Sequence, residues 1–253
     1  MLKRLVQKNG WKILPSQIKV MVERYNLSKN YNKHTYRLKE NAFLHIYEDN
    51  IWTSSESRSG GGSEISTTHT IRQSLPLIWE KYKIKTFLDA PCGDFNWMKE
   101  VNKDGIKYIG GDIVEELVVK NNELYGQETP QIEFQKIDIT KDVIPKVDMI
   151  FCKDCLQHLS YESVVITLRN FAQSGCKYLM FTSYPLTIRN HDICDGDYRA
   201  LNLFKKPFNL PKDYIGKICE KSKGRDVEID KTMYLYDMEQ SKLKDYLRSL
   251  IFK

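Results

Sequence analysis

Between residues 85 and 184 short apolar runs alternate with longer polar or helical stretches, and this rhythm most constrains the fold. The runs are "KTFLDA" (85–90), "KYIGGDI" (107–113), "IEFQKIDI" (132–139), "VDMIFCK" (147–153) and "KYLMFTSY" (177–184). Between them lie 94–103, 114–125 and "SYESVVITLRNFAQSG" (160–175). Strands that alternate with helices in this way form a parallel sheet with helices on both faces. Two further runs, "YIGKICEK" (214–221) and "KTMYLYDM" (231–238), lie close enough in sequence to pair antiparallel, and 239–251 reads as a final helix. The predicted class is α/β: a doubly wound, mostly parallel seven-stranded sheet with a terminal antiparallel hairpin.

Upstream, "LPSQIKVMVERYNL" places Ile18, Met21, Val22 and Tyr25 at helical spacing after Pro15 and Ser16. Residues 26–50 are polar and aromatic, with no clear period. "SSESRSGGGSEIS" (54–66) has loop composition, and "TTHTIRQSLPLIWEKY" follows as a helix with Ile71, Leu75, Ile78 and Tyr82 on one face. The expected organisation is a basic helical extension over 1–53 and one ligand-binding domain over 54–253.

With 41% hydrophobic and 28% charged residues the chain can bury a core, and a globally disordered chain is excluded. No apolar run is long enough to span a membrane. The start "MLKRLVQKNGWKIL" lacks the apolar stretch and cleavage site of a secretory signal. Six scattered cysteines match no short disulfide framework, so reduced thiols and a cytoplasmic location are expected. The net charge of +6 is concentrated early: before residue 41 the only acids are Glu23 and Glu40, against ten lysines and arginines. No nucleic-acid motif accompanies it, so a solvated helix face is expected rather than a nucleic-acid partner.

Ligands of a doubly wound sheet bind beyond the carboxyl ends of its strands. Asp89 ends the first run and is followed by Pro91, Cys92 and Gly93, where glycine permits close approach to the backbone. The turn lacks both G-x-G-x-x-G and the G-K-[ST] of a P-loop. An acid before a short glycine turn suits an amine-bearing ligand better than a pyrophosphate. Asp112, at the end of the second run, can accept both hydroxyls of a ribose. Asp138 can accept from an adenine amino group, with Ile139 covering the ring.

The stretches "FLDAPCGDFNWM", "YIGGDI", "QKIDIT" and "VDMIFCKDCLQHLS" resemble the motifs of class I S-adenosylmethionine-dependent methyltransferases over about residues 54–238. The first motif departs from the usual glycine-rich form, with Ala90-Pro91 before Cys92-Gly93. With "ESRSGGGS" and "NHDICDGDYRALNLFKKPF" it resembles a narrower bacterial group, some of whose members sit in capsular polysaccharide clusters, including those making O-methyl phosphoramidate modifications. The resemblance implies S-adenosylmethionine as cofactor. It puts Asp89 and Gly93 at the methionine part, Asp112 at the ribose, and Asp138 and Ile139 at the adenine, with Pro91, Cys92, Ile113 and Arg58 also among the cofactor-binding residues.

Lys153, Asp154 and His158 follow the fourth run, whose end faces the transferred methyl in that family. His158 reads either as a general base for a hydroxyl acceptor or as a packing and capping residue. Cys152 and Cys155 form an isolated C-x-x-C and read as small buried residues, not a metal site. Arg58, in the glycine-rich loop, is expected to clamp the cofactor carboxylate or a substrate phosphate, with Ser63, Thr68 and Arg72 on the same side. The loop after the fifth run supplies Tyr184, Arg189, Asn190 and Arg199. Arginines from both loops are expected to converge on a small anionic acceptor, phosphorylated or phosphoramidate-bearing, without a metal. A sugar-hydroxyl methyltransferase, a nicotinamide-dependent oxidoreductase and a non-catalytic cofactor-binding subunit remain open alternatives. The oligomeric state is not fixed by the sequence.

Overall fold

The structure is a computed structural model that describes residues 15–30, 39–126, 131–220 and 229–250. Among the described residues the helices α1 (Ser16–Asn30) and α2 (Lys39–Glu48) precede α3 (His69–Tyr82). Then come β1 (Thr86–Asp89), β2 (Lys107–Asp112), α4 (Glu115–Asn121), β3 (Ile132–Lys136) and β4 (Met149–Cys152). The chain continues through α5 (Tyr161–Gln173), β5 (Tyr178–Ser183), β6 (Gly216–Cys219), β7 (Thr232–Asp237) and α6 (Leu243–Ser249). The seven strands form one sheet in the order β3-β2-β1-β4-β5-β7-β6. β1 to β5 pair in parallel, and β7 runs antiparallel between β5 and β6.

Strand periodicity splits the core into two layers. Leu88, Ile150, Leu179, Phe181, Tyr234 and Tyr236 face one side, where Val164, Leu168 and Phe171 of α5 and Leu243 and Leu247 of α6 cover them. Their chain neighbours Phe87, Phe151, Met180 and Leu235 face the other, against Ile71, Leu75 and Trp79 of α3. Alternate side chains leave opposite faces of a strand, so strands buried throughout, such as β4 and β5, must be covered on both sides. α5 starts cleanly because the Ser160 hydroxyl accepts from the Ser163 N–H. α3 ends at Lys83, whose left-handed backbone turns its N–H onto the carbonyls of Glu80 and Trp79.

All seven expected strands are present, each shorter than its apolar run by one to four residues. After β1 the chain forms only a 3₁₀ turn, Met98–Glu100, within the stretch read as polar or helical. α2 occupies part of the stretch that showed no period. Its Ala42 and Ile46 are buried, and Phe43 packs on the α5 side of the core. α1 is tied down from afar: Arg24 makes a buried pair with Asp230 at 2.8 Å and donates to Thr187 Oγ1 at 3.1 Å. No helix among the described residues is long and apolar enough to cross a membrane.

Candidate active site

Strand order reverses between β1 and β4, since β2 and β3 lie to one side of β1 and β4 and β5 to the other. At the carboxyl ends of these strands lies a cleft with about 1030 Å³ of atom-free space, mouth included. That size suits a ligand of nucleoside dimensions.

The three carboxylates expected from the strand ends all line this cleft, and all are buried. Asp89 accepts the Tyr108 hydroxyl on Oδ2 at 2.8 Å. Burial raises its pKa to about 7, against the lowering effect of that hydrogen bond and of Lys153. Asp112 accepts the Gly93 N–H on Oδ2 at 3.0 Å and the Val114 N–H on Oδ1 at 3.1 Å. Burial pushes it up to about 6 despite these donors. Asp138 holds the turn after β3 by accepting the N–H and hydroxyl of Thr140 at 2.9 and 2.6 Å. Ile113, Val114, Leu117, Ile137 and Ile139 form an apolar wall in the same cleft, and Pro91 and Cys92 line it beside Gly93. Three carboxylates and an apolar wall thus share one cleft, which can meet both polar and apolar parts of a ligand.

Gly93 has φ 56, and a Cβ there would lie 2.1 Å from Ser59 Oγ. What approaches this glycine is therefore the glycine-rich loop of the protein itself. Asp94 clamps that loop: its carboxylate accepts the Ser57 hydroxyl at 2.9 Å, the Arg58 N–H at 2.7 Å and the Ser59 hydroxyl at 3.3 Å. Arg58, Ser59 and Ser63 thereby reach the cleft, which Phe43, Ile46, Tyr47 and Trp52 from α2 and the turn after it also line, and Arg58 donates to the Glu48 carbonyl at the end of α2 at 3.3 Å.

Beyond β4, Lys153, Asp154 and His158 also line the cleft. Asp154 has φ 51, and its Oδ2 takes both Lys153 Nζ at 2.5 Å and Lys231 Nζ at 2.8 Å. Burial opposes its charge, but the two ammonium groups prevail and hold its carboxyl well below the usual range. Lys231 also pairs with Glu220 at 3.1 Å, and Lys153 donates to the Gly62 carbonyl at 2.9 Å. His158 Nδ1 sits 3.0 Å from the Asp197 carbonyl, which can only accept, so Nδ1 carries the hydrogen and Nε2 is left as a proton acceptor. Burial lowers the imidazole to about 4, and the Trp52 and Tyr198 rings flank it at 4.9 and 5.5 Å.

The remaining expected substrate residues do not join this lining. Thr68 is buried, its hydroxyl donating to the Glu64 carbonyl at 2.9 Å. Arg72 donates to the Ile65 carbonyl at 3.0 Å. Arg199 is buried, donates to the Leu159 carbonyl and lies 5.1 Å from the Tyr161 ring centre. Asn190 is buried and bridges the carbonyls of Asn202 and Lys206, while Tyr184 lies under the Arg24 guanidinium. Arg189 is exposed on the loop surface. The expected convergence of guanidiniums on an acceptor is not seen: carbonyls hold Arg72 and Arg199 away from the cleft, and Arg58, the one of these that lines it, itself donates to the Glu48 carbonyl at 3.3 Å. All six cysteines are free thiols, and among the described residues no group of His, Cys, Asp or Glu side chains is arranged to hold a metal ion.

Sequence reasoning missed Tyr108, Asp94, Trp52, Glu220 and Lys231. Tyr108 carried a signal, since a phenol inside a buried strand needs a partner for its hydroxyl. Glu220 and Lys231 carried none, being brought to the site only by hairpin pairing.

No protein-family model matches the chain, and no curated protein matches it by sequence. Solved structures do match. The N-methyltransferase NodS from Bradyrhizobium japonicum WM9, in complex with S-adenosylhomocysteine, is 11% identical with a TM-score of 0.57, over 76% of this chain and 98% of that one. The Haemonchus contortus phosphoethanolamine N-methyltransferase 1, with phosphoethanolamine and S-adenosylhomocysteine, is 15% identical with a TM-score of 0.56, over 85% of this chain and 53% of that one. The Burkholderia thailandensis 1,6-didemethyltoxoflavin-N1-methyltransferase is 11% identical with a TM-score of 0.55, over 82% and 92%. The strand order, the antiparallel seventh strand and these matches agree: the chain has the fold of class I S-adenosylmethionine-dependent methyltransferases.

Proposed function

We propose that this protein transfers a methyl group from S-adenosylmethionine to a small-molecule acceptor. The observation that carries this is the convergence of Asp89, Asp112 and Asp138 on one cleft beside an apolar wall. Asp89 receives the cofactor ammonium, Asp112 the ribose hydroxyls and Asp138 the adenine amino group, with Ile113 and Ile139 against the ring. When bound, the cofactor supplies an activated methyl on a sulfonium. The chain then has to align acceptor and methyl and keep water out. The Asp94-clamped loop and the aromatic side chains of Phe43, Tyr47 and Trp52 serve that exclusion.

A hydroxyl or amine acceptor is supported by His158, a neutral imidazole whose Nε2 can take a proton. An anionic acceptor, phosphorylated or phosphoramidate-bearing, is supported in the cleft by Arg58 alone among the arginines considered. A bacterial capsule modification rests on the sequence resemblance only. Free thiols throughout accord with action in a reducing compartment.

Calorimetric titration with S-adenosylhomocysteine tests the cofactor assignment. The wild type should bind, and Asp112→Ala should lose ~1.5–3 kcal/mol, the scale of a hydrogen bond to a charged group. Equal affinity in the two proteins would remove Asp112 from the ribose.

A further inference from the structure

Behind Asp89 lies a buried arrangement that the cleft does not display. Tyr108 has no exposed surface, and its hydroxyl donates to Asp89 Oδ2 at 2.8 Å from the neighbouring strand. Its ring packs among Phe87, Phe95 and Phe134. The Lys103 ammonium lies 5.9 Å from the centre of the Tyr108 ring and 4.9 Å from that of Phe95, and donates to the carbonyls of Met98 and Val101. A core that is otherwise apolar here gives one carboxylate a phenol donor, with an ammonium against the same rings.

We propose that Tyr108, backed by Lys103, is a positioning residue for the cofactor: it fixes Asp89 through Oδ2, so that the other oxygen meets the ligand's ammonium as a carboxylate. This rests on the methyltransferase assignment above. A hydrogen bond to the charged form of an acid favours that form, and a nearby cation does the same. Both oppose the burial that would otherwise keep Asp89 protonated. The charged and titratable groups around Asp89 are Tyr108 and Asp112 of β2, Lys103 before β2, Lys153 after β4, and the thiols of Cys92 and Cys152. Lys153 and, less strongly, Lys103 favour the charged form through space, but both ammonium groups donate their hydrogens elsewhere, and Asp112 opposes ionisation, which leaves Tyr108 as the direct donor.

The consequence is a pH dependence of binding. In the empty cleft Asp89 carries a proton below about 7. A ligand ammonium requires the carboxylate, so that proton must leave, and affinity should fall by up to ~10-fold per pH unit below that point. Tyr108→Phe keeps the ring and its packing while deleting the donor. It should move this limb upward by about one pH unit, which weakens S-adenosylhomocysteine about 5-fold at pH 7, approaching 10-fold at pH 6 and below, and little at pH 9. Lys103→Met should move it the same way by less.

The test is calorimetry with S-adenosylhomocysteine from pH 5.5 to 9 on wild type, Tyr108→Phe and Lys103→Met, with a thermal melt of each. An upward-shifted limb in Tyr108→Phe supports the assignment. A loss equal at every pH, or a lower melting temperature with an unmoved limb, would make Tyr108 a packing residue and overturn it. Absence of binding by the folded wild type would instead sink the cofactor assignment, and this role for Tyr108 with it.

Discussion

Burial raises Asp89 to about 7 and lowers His158 to about 4 for one reason: a low-dielectric site disfavours whichever form is charged. The consequences for stability have opposite signs. Asp89 binds a proton more tightly when folded, so its contribution is full below the unfolded value near 4 and is lost as pH rises through about 7. His158 binds a proton less tightly when folded, so its contribution is present above the unfolded value near 6.5 and is lost as pH falls towards about 4. Urea denaturation across pH 4–8 should therefore show a flatter alkaline decline in Asp89→Asn and a flatter acid decline in His158→Gln. In catalysis, the neutral His158 is available throughout the physiological range. If it takes the acceptor proton, His158→Ala should lower kcat by ~10²-fold, with no acid limb above about pH 5 in the wild type. Turnover near the wild-type value would leave His158 a packing residue between Trp52 and Tyr198. The carboxylates and His158 were legible in the sequence because each follows an apolar run, and the sheet fixes where such runs end. The arginines were not, because nothing in "IRNHDICDGDYRALN" tells a guanidinium that reaches a cleft from one that ties down its own loop.

Among the elements, strands were the most legible and the segments that cover the cleft the least. The largely apolar runs of β1, β4 and β5 have few alternatives to a central position, whereas α2 buries only a narrow stripe through Ala42, Phe43 and Ile46 and shows no strong period. The glycine-rich loop was read as an entrance by its composition. What shapes it is Asp94, one carboxylate accepting from three consecutive residues. Asp94→Ala should release the loop: amide exchange over 57–60 should accelerate about 10-fold or more, and S-adenosylhomocysteine should bind more weakly, while the sheet amides keep their protection. Unchanged exchange at Arg58 and Gly60 would mean that the backbone turn holds the loop without Asp94.

Across the whole molecule, distant segments meet behind the site. Lys231 and Glu220 face each other across the terminal hairpin, and Lys231 reaches Asp154 beyond β4, while Lys153 links the same carboxylate to Gly62. Removing one member of a buried ion cluster strands its partners, so Lys231→Met should cost about 3–5 kcal/mol in urea denaturation. Lys231→Met combined with Glu220→Gln should recover part of that loss, because an acid and a base leave together. No recovery in the double variant would show that Lys231 matters to Asp154 and not to Glu220. The larger question is which nucleotide-like cofactor the sheet serves, since doubly wound sheets of this kind also bind nicotinamide dinucleotides. The direct measurement is parallel titration of the wild type with S-adenosylhomocysteine and with NADH at pH 8. Saturable one-to-one binding of S-adenosylhomocysteine, with no binding of NADH, is the expected result; saturable binding of NADH with none of S-adenosylhomocysteine would contradict the account.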